Sequence, residues 1–128
     1  MTVPYKPQGY SSVAPYLLVN GAAATIEFLK KVFAAEPLRT ISGEGGVVRH
    51  GEVRIDDTVV MIADALEGWP MIPAHVHIYV KDVDATFQKA LAAGATAVQE
   101  PVKKDDSDKR GGFRDPGGIT WWVGTQVE

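Results

Sequence analysis

Residues 14–26, APYLLVNGAAATI, are followed 61 residues later by residues 75–87, HVHIYVKDVDATF, which have the same outline. The two segments share only a valine, an alanine and a threonine at matching places, but in both of them an alternating strand pattern changes to a helical pattern at the same point. The same offset pairs residues 57–62 with residues 118–123, each a predicted strand after a tight turn. The chain therefore reads as two copies of one structural plan.

Composition limits the classes of function that need to be considered. A chain of 128 residues that is 45% hydrophobic is long enough for one globular domain. Its 13 basic and 16 acidic residues give a net charge of -3 without a basic stripe, which argues against nucleic acid as a partner. Cysteine is absent, so disulfides and thiolate chemistry are excluded. No apolar run approaches the roughly 18 residues of a membrane span, and we expect a soluble, cytoplasmic protein.

Each half of the chain is interpreted as a β-α-β-β-β module, the first over about residues 13–64 and the second over about residues 74–125. In the first module we predict strands at 13–19, 38–41, 47–55 and 58–63 and a helix at 22–34, after an extended leader at 1–12. In the second module we predict a strand at 75–80, a helix at 83–93, a short strand at 95–98, a mobile polar loop at 101–112 and a strand at 119–123.

Four segments in this order resemble one known family: residues 16–28 (YLLVNGAAATIEF), residues 50–61 (HGEVRIDDTVVM), residues 80–84 (VKDVD) followed by an Ala-Gly-Ala at 93–95, and residues 113–118 (FRDPGG). The chain resembles the glyoxalase/bleomycin-resistance/dioxygenase superfamily, also called vicinal oxygen chelate proteins, and is most similar to its PhnB-like branch. The resemblance implies an α+β fold in which residues 1–128 form a single domain, with two tandem βαβββ modules making a curved mixed sheet around a cavity. It also implies a homodimer.

Metal-dependent members of this family hold a divalent ion with side chains from the first and last strands of each half. The resemblance places those four positions at Ala14, Met61, His75 and Trp122, of which only His75 is a good ligand. Because a mononuclear site needs about three nitrogen or oxygen donors, we expect the usual metal site to be absent and no cofactor to be bound. Metal-dependent isomerisation, thiol transfer and ring cleavage are accordingly discounted.

A second arrangement of polar residues leaves an enzymatic function open. His75 and His77 lie two apart on one predicted strand, and His50 and Glu52 do so on another, so each pair faces one side of its strand. If the two strands adjoined, these side chains could bind iron or zinc, or act as a general base, in a lyase, isomerase or dioxygenase. His75, His77 and Glu52 are therefore the candidate catalytic residues.

Strand alternation also predicts a cavity lined by residues with an apolar body and one polar tip. Such residues suit a small planar or aromatic ligand, and a metal-free binding protein is the main functional hypothesis. Trp122 could instead fill the cavity as a core residue, which would leave a structural module, and Trp69 could cover the cavity mouth or pack at a dimer interface. The predicted ligand-binding residues are Tyr16, His50, Glu52, Met61, Trp69, His75, His77, Tyr79 and Trp122.

Overall fold

A computed structural model describes residues 3–128 and contains two four-stranded sheets and two α-helices. Neither helix in this described part of the chain is long and apolar enough to cross a lipid bilayer. The elements in chain order are β1 (Tyr16–Val19), α1 (Ala22–Phe33), β2 (Glu36–Ser42), a short 3-10 turn (Glu44–Gly46), β3 (Val48–Ile55), β4 (Thr58–Asp64), β5 (His75–Tyr79), α2 (Val83–Ala92), β6 (Thr96–Lys103), β7 (Asp108–Arg114) and β8 (Thr120–Gln126).

The two sheets have the same topology. The first sheet has the strand order β1-β4-β3-β2 and the second has the order β5-β8-β7-β6. In each, the opening strand pairs parallel with the last strand of its module, and the other neighbours are antiparallel. The register repeats as well, because Tyr16 pairs with Met61 in the first sheet and His77 pairs with Trp122, 61 residues later, in the second. The predicted α+β fold with two tandem βαβββ modules is confirmed.

One hydrophobic core joins the two modules. It contains the inward-facing residues of both sheets together with Phe28 and Leu29 of α1 and Phe87 of α2. Phe33, at the end of α1, packs its ring 5.2 Å from the ring of Trp121 in the second sheet. Trp121 is only 1% exposed, whereas its neighbour Trp122 lies on the other side of β8, outside the core. The alternation that separated these two tryptophans in sequence is therefore confirmed.

Asp64, the last residue of β4, fixes the position of α1 relative to β3. Helix α1 begins after Gly21, which has a positive φ of 81° and no side chain to cap the helix. Asp64 takes over this function, because its carboxylate accepts hydrogen bonds from the backbone N–H groups of Ala22 (2.7 Å) and Val48 (2.8 Å). The same carboxylate thus anchors the start of the helix and the start of β3, the strand that carries His50 and Glu52.

The second half contains more strand than the sequence predicts. Residues 101–112 were expected to form a mobile loop, but β6 extends to Lys103 and β7 begins at Asp108, so only the turn at 104–107 lies between them. The prediction was wrong because β6 is an edge strand, where charged side chains reach solvent without leaving the ladder. The charged residues of β7 also pair with each other, since Asp108 accepts a 2.8 Å hydrogen bond from Arg110.

Candidate functional site

The side of the first sheet that faces away from the core carries four of the predicted site residues. Cross-strand register places Tyr16 of β1 beside Met61 of β4, and Met61 beside Glu52 of β3. His50 lies two residues before Glu52 and therefore faces the same side. We call this surface, defined by Tyr16, His50, Glu52 and Met61, the first open face.

Glu52 is the centre of a hydrogen-bonded cluster on the first open face. Its side chain is fully buried, and its carboxylate accepts hydrogen bonds from the Tyr10 hydroxyl (2.5 Å), His50 Nε2 (2.7 Å) and the Arg39 guanidinium (3.0 Å). Burial raises the pKa of this carboxyl, but the hydrogen bonds from Tyr10, His50 and Arg39 outweigh burial and lower the pKa of Glu52 from 4.5 to about 2. Glu52 is therefore ionised at neutral pH.

Tyr10 and Arg39 are members of this cluster that the sequence did not identify. Tyr10 belongs to the leader, which lies against β3 and is held there also by a hydrogen bond of 3.1 Å from Arg54 to the backbone carbonyl of Gly9. The hydrogen bond to Glu52, followed by burial, raises the pKa of the Tyr10 hydroxyl, so Tyr10 is a proton donor at neutral pH. The leader was predicted to be extended, and nothing in its residue pattern indicated a partner 42 residues away.

The contact with Glu52 determines which nitrogen of His50 carries the proton. An ionised carboxylate only accepts hydrogen bonds, so the Nε2 of His50 that lies 2.7 Å from it must be the donor. In the neutral ring, Nδ1 then has a free lone pair. The nearest polar partner of Nδ1 is the Tyr16 hydroxyl at 3.5 Å, which is too long for a strong hydrogen bond. The acceptor nitrogen of His50 therefore has only a weak hydrogen bond, from a tyrosine that is half exposed.

The corresponding side of the second sheet carries the other predicted site residues, and we call it the second open face, defined by His75, His77, Tyr79 and Trp122. The Trp122 indole N–H donates to His75 Nδ1 (2.9 Å), and Arg110 Nε donates to His77 Nε2 (3.2 Å). Burial, followed by the charge of Arg110, lowers the pKa of His77. In their neutral forms, both histidines thus use their single lone pair to accept a hydrogen bond from the protein.

The two open faces differ most at one pair of equivalent positions. Glu52 faces Met61 across the first sheet, and Gly112 faces Trp122 across the second. The indole of Trp122 lies flat against the backbone of Gly112, since a Cβ atom added there would be only 2.6 Å from the ring. The first open face therefore has a buried acid where the second has a glycine covered by the Trp122 indole.

Substitution of Gly112 by alanine is expected to displace the Trp122 indole. A new methyl group at 2.6 Å forces the ring to rotate, which breaks its hydrogen bond to His75 and costs about 1 to 3 kcal/mol of stability. Chemical denaturation and the wavelength of Trp122 emission measure the two effects. Gly45→Ala is the control for the loss of a glycine, because no atom lies within 4 Å of a Cβ there, although its positive φ adds some strain. An unchanged emission spectrum in Gly112→Ala would contradict this account.

The residues at the family's metal positions do not fit a metal ion. Ala14 and Met61 provide no hard donor, and Trp122 donates its N–H to the lone pair that His75 would need for coordination. The alternative arrangement, in which His75 and His77 join His50 and Glu52, requires β5 to adjoin β3, but these strands belong to different sheets of the chain. Across residues 3–128, no three His, Asp or Glu side chains lie close enough together to hold a metal.

Trp69 lies beside the first open face. It is 64% exposed and lines a cavity of about 210 Å³ together with Tyr16 and Leu18. Within residues 3–128 of one chain, no hydrogen bond or aromatic contact connects the first open face with the second. The structure thus divides the nine predicted ligand-binding residues into two groups, and whether they bind a ligand stays a prediction.

Comparison with known proteins agrees with this architecture. The sequence model of the glyoxalase/bleomycin resistance protein/dioxygenase superfamily matches residues 11–123. The chain belongs to this superfamily. An uncharacterized protein of Mycobacterium bovis is 35% identical over 127 residues, which cover 91% of this chain and 84% of that protein. An uncharacterized protein of Mycobacterium tuberculosis is equally similar, with 75% of its length covered.

Solved structures of other proteins have the same fold. TioX from Micromonospora sp. ML1 superposes with a TM-score of 0.77 at 24% identity and covers 91% of this chain and 98% of its own. A PhnB protein from Bacillus cereus superposes with a TM-score of 0.72 at 18% identity and covers 90% of this chain and 99% of its own. At these identities the likeness concerns the fold, and the chemistry has to be argued from the side chains.

Proposed function

We propose that this superfamily member is a metal-independent binding protein for a small planar or aromatic molecule, working in the cytoplasm. The observation that carries the proposal is the exposure of large aromatic side chains: Tyr16 on the first open face is 50% exposed, Trp69 beside it 64%, and Tyr79 on the second open face 62%. Aromatic side chains with a polar tip bind flat ligands through burial of area, while the tip fixes the orientation. The lack of cysteine is compatible with a reducing compartment.

We propose further that the binding cleft forms in a homodimer, between the first open face of one copy and the second open face of the other. The cavity beside Trp69 is about 210 Å³, which is below the roughly 300 to 1,000 Å³ of most small-molecule sites. A second copy would enlarge it by adding the surface around Tyr79 and Trp122. The mass in solution, measured by light scattering after size-exclusion chromatography, tests this step, and a monomer at micromolar concentration would contradict it.

Ligand binding is tested with 2-naphthol, the planar cation acridine orange and the glycopeptide bleomycin. We expect at least one of them to quench tryptophan fluorescence saturably and to stabilise the fold by about 2.7 kcal/mol at a concentration of 100 Kd. Trp122→Ala should weaken the binding of that compound at least about tenfold, which corresponds to about 1.4 kcal/mol. Flat titrations and unchanged melting temperatures with all three compounds would remove the support for a binding function.

A further inference from the structure

We propose that His50, held by Glu52, is a metal-independent general base for planar aromatic ligands, and that the Tyr16 hydroxyl donates a hydrogen bond to the ligand oxygen that gains charge. This proposal rests on the proposed function, because the ligand must first lie on the first open face. It adds a reaction to that function: removal of an acidic proton from the bound molecule.

We choose His50 as the base by comparing the hydrogen bonds that the acceptor nitrogens of the three histidines accept. His75 accepts a hydrogen bond from the Trp122 indole at 2.9 Å, and His77 accepts one from Arg110 at 3.2 Å. His50 instead donates through Nε2 to Glu52, and its Nδ1 has only the 3.5 Å contact with the Tyr16 hydroxyl. A general base needs a lone pair that the ligand can reach, and among these three rings the Nδ1 of His50 has the longest and weakest contact.

Glu52 acts on the reaction through His50 and is a positioning residue. Its carboxylate is fully buried and is itself fixed by Tyr10 and Arg39, so the imidazole that it holds has one tautomer and one orientation. When Nδ1 takes up a proton, the imidazolium ring carries a positive charge next to the carboxylate. An ionised partner at 2.7 Å stabilises that charge, as in other carboxylate–histidine pairs that serve as bases.

Tyr16 is placed to assist on the ligand side of His50. The Tyr16 hydroxyl lies 3.5 Å from Nδ1, and the two rings have centroids 5.7 Å apart. A ligand lying over this pair would replace their 3.5 Å contact, with its C–H group toward Nδ1 and a neighbouring oxygen toward the hydroxyl. Met61, the cross-strand neighbour of both Tyr16 and Glu52, provides an apolar surface under the ligand ring.

The test reaction is the ring opening of 5-nitrobenzisoxazole, a planar aromatic carbon acid. His50 Nδ1 takes the proton from the ring carbon as the C–H bond breaks. The electron pair of that bond forms the nitrile, the N–O bond breaks, and its electron pair leaves on the oxygen as a coloured phenolate. Tyr16 donates a hydrogen bond to this oxygen, and the proton on His50 passes to water. The step needs no oxidant, reductant or metal.

We expect the wild-type protein to open the ring faster than the same concentration of imidazole at the same pH. His50→Gln should lower the rate by about 10² or more, which is the usual contribution of a general base. Tyr16→Phe should lower it less. Lys89→Gln, an exposed change on helix α2, should leave the rate unchanged. Equal rates for the wild type and His50→Gln, or a wild-type rate no higher than that of imidazole, would overturn the proposal.

Two further measurements separate this proposal from the binding function. Nitrogen-15 NMR of the wild-type histidines should show His50 protonated at Nε2 and bare at Nδ1, and the opposite tautomer would overturn the assignment of the base. Fluorescence titration of His50→Gln with 5-nitrobenzisoxazole measures the affinity for this compound separately from the rate of ring opening. If His50→Gln binds the compound and opens the ring at the wild-type rate, only the general-base proposal fails. If the wild type binds neither this compound nor the three test ligands, the proposed binding function fails as well.

Discussion

Replacing Trp121 with alanine is expected to lower the free energy of unfolding by about 3 to 5 kcal/mol, the usual cost of removing a large aromatic side chain from a core. Trp121 is 1% exposed and packs against Phe33 of the other module. Its indole N–H also donates a 2.8 Å hydrogen bond to Asp115, which is buried and would lose a partner. Urea denaturation followed by circular dichroism measures the change.

The neighbouring Trp122→Ala is the matched comparison, because it deletes the same side chain from the same strand on the opposite face. We expect it to cost about 1 kcal/mol, close to the average for a single substitution, since Trp122 lies outside the core. Its larger effect should be on ligand affinity. If Trp122→Ala destabilised the protein as much as Trp121→Ala and left ligand binding intact, Trp122 would be a core residue and the structural-module hypothesis would be favoured.

Replacing Glu52 with glutamine is expected to cost about 3 kcal/mol at neutral pH, the lower end of the range for breaking a buried charge pair, because Arg39 is 62% exposed and can be solvated. The loss should depend on pH. The pKa of Glu52 is about 2 in the folded protein and 4.5 ordinarily, so its carboxylate contributes stability that is complete above about pH 4.5. This contribution is lost as the pH falls towards about 2.

Denaturation of both proteins over the acidic range measures this dependence. The gap in stability between wild type and Glu52→Gln should narrow steadily as the pH is lowered from about 5 to about 2. Glu100→Gln, which changes an exposed carboxylate of β6, should follow the wild-type curve. A constant gap across the acidic range would show that Glu52 stabilises the fold by packing alone.

The repeated segment predicted the architecture well because it contains the two periodicities that define the elements. The change from alternation to helical spacing after Val19 and after Val80 located both helices, and alternation assigned Trp121 to the core and Trp122 to the open side. The β6–β7 hairpin was missed because its charged residues resemble a loop when their edge position is unknown. Sequence pattern predicts the faces of a strand but not its neighbours.

The site was predicted less completely for the same reason. His50 and Glu52 were paired correctly, because residues two apart on a strand share a face. Combining His50 and Glu52 with His75 and His77 required knowing which strands adjoin. Strands β3 and β5 belong to different sheets, so this combination does not form within the chain. Tyr10 and Arg39 were missed because long-range contacts, rather than a local motif, bring them to Glu52.

The contact between Tyr10 and Glu52 also affects how the protein should be prepared. The leader is held on β3 by two hydrogen bonds, one from Tyr10 and one to the Gly9 carbonyl, so a change in the leader affects the buried acid directly. Trimming of the leader past Tyr10 by a protease would remove one of the three hydrogen-bond donors of Glu52, the partner of the proposed base. The leader should therefore be kept intact during purification.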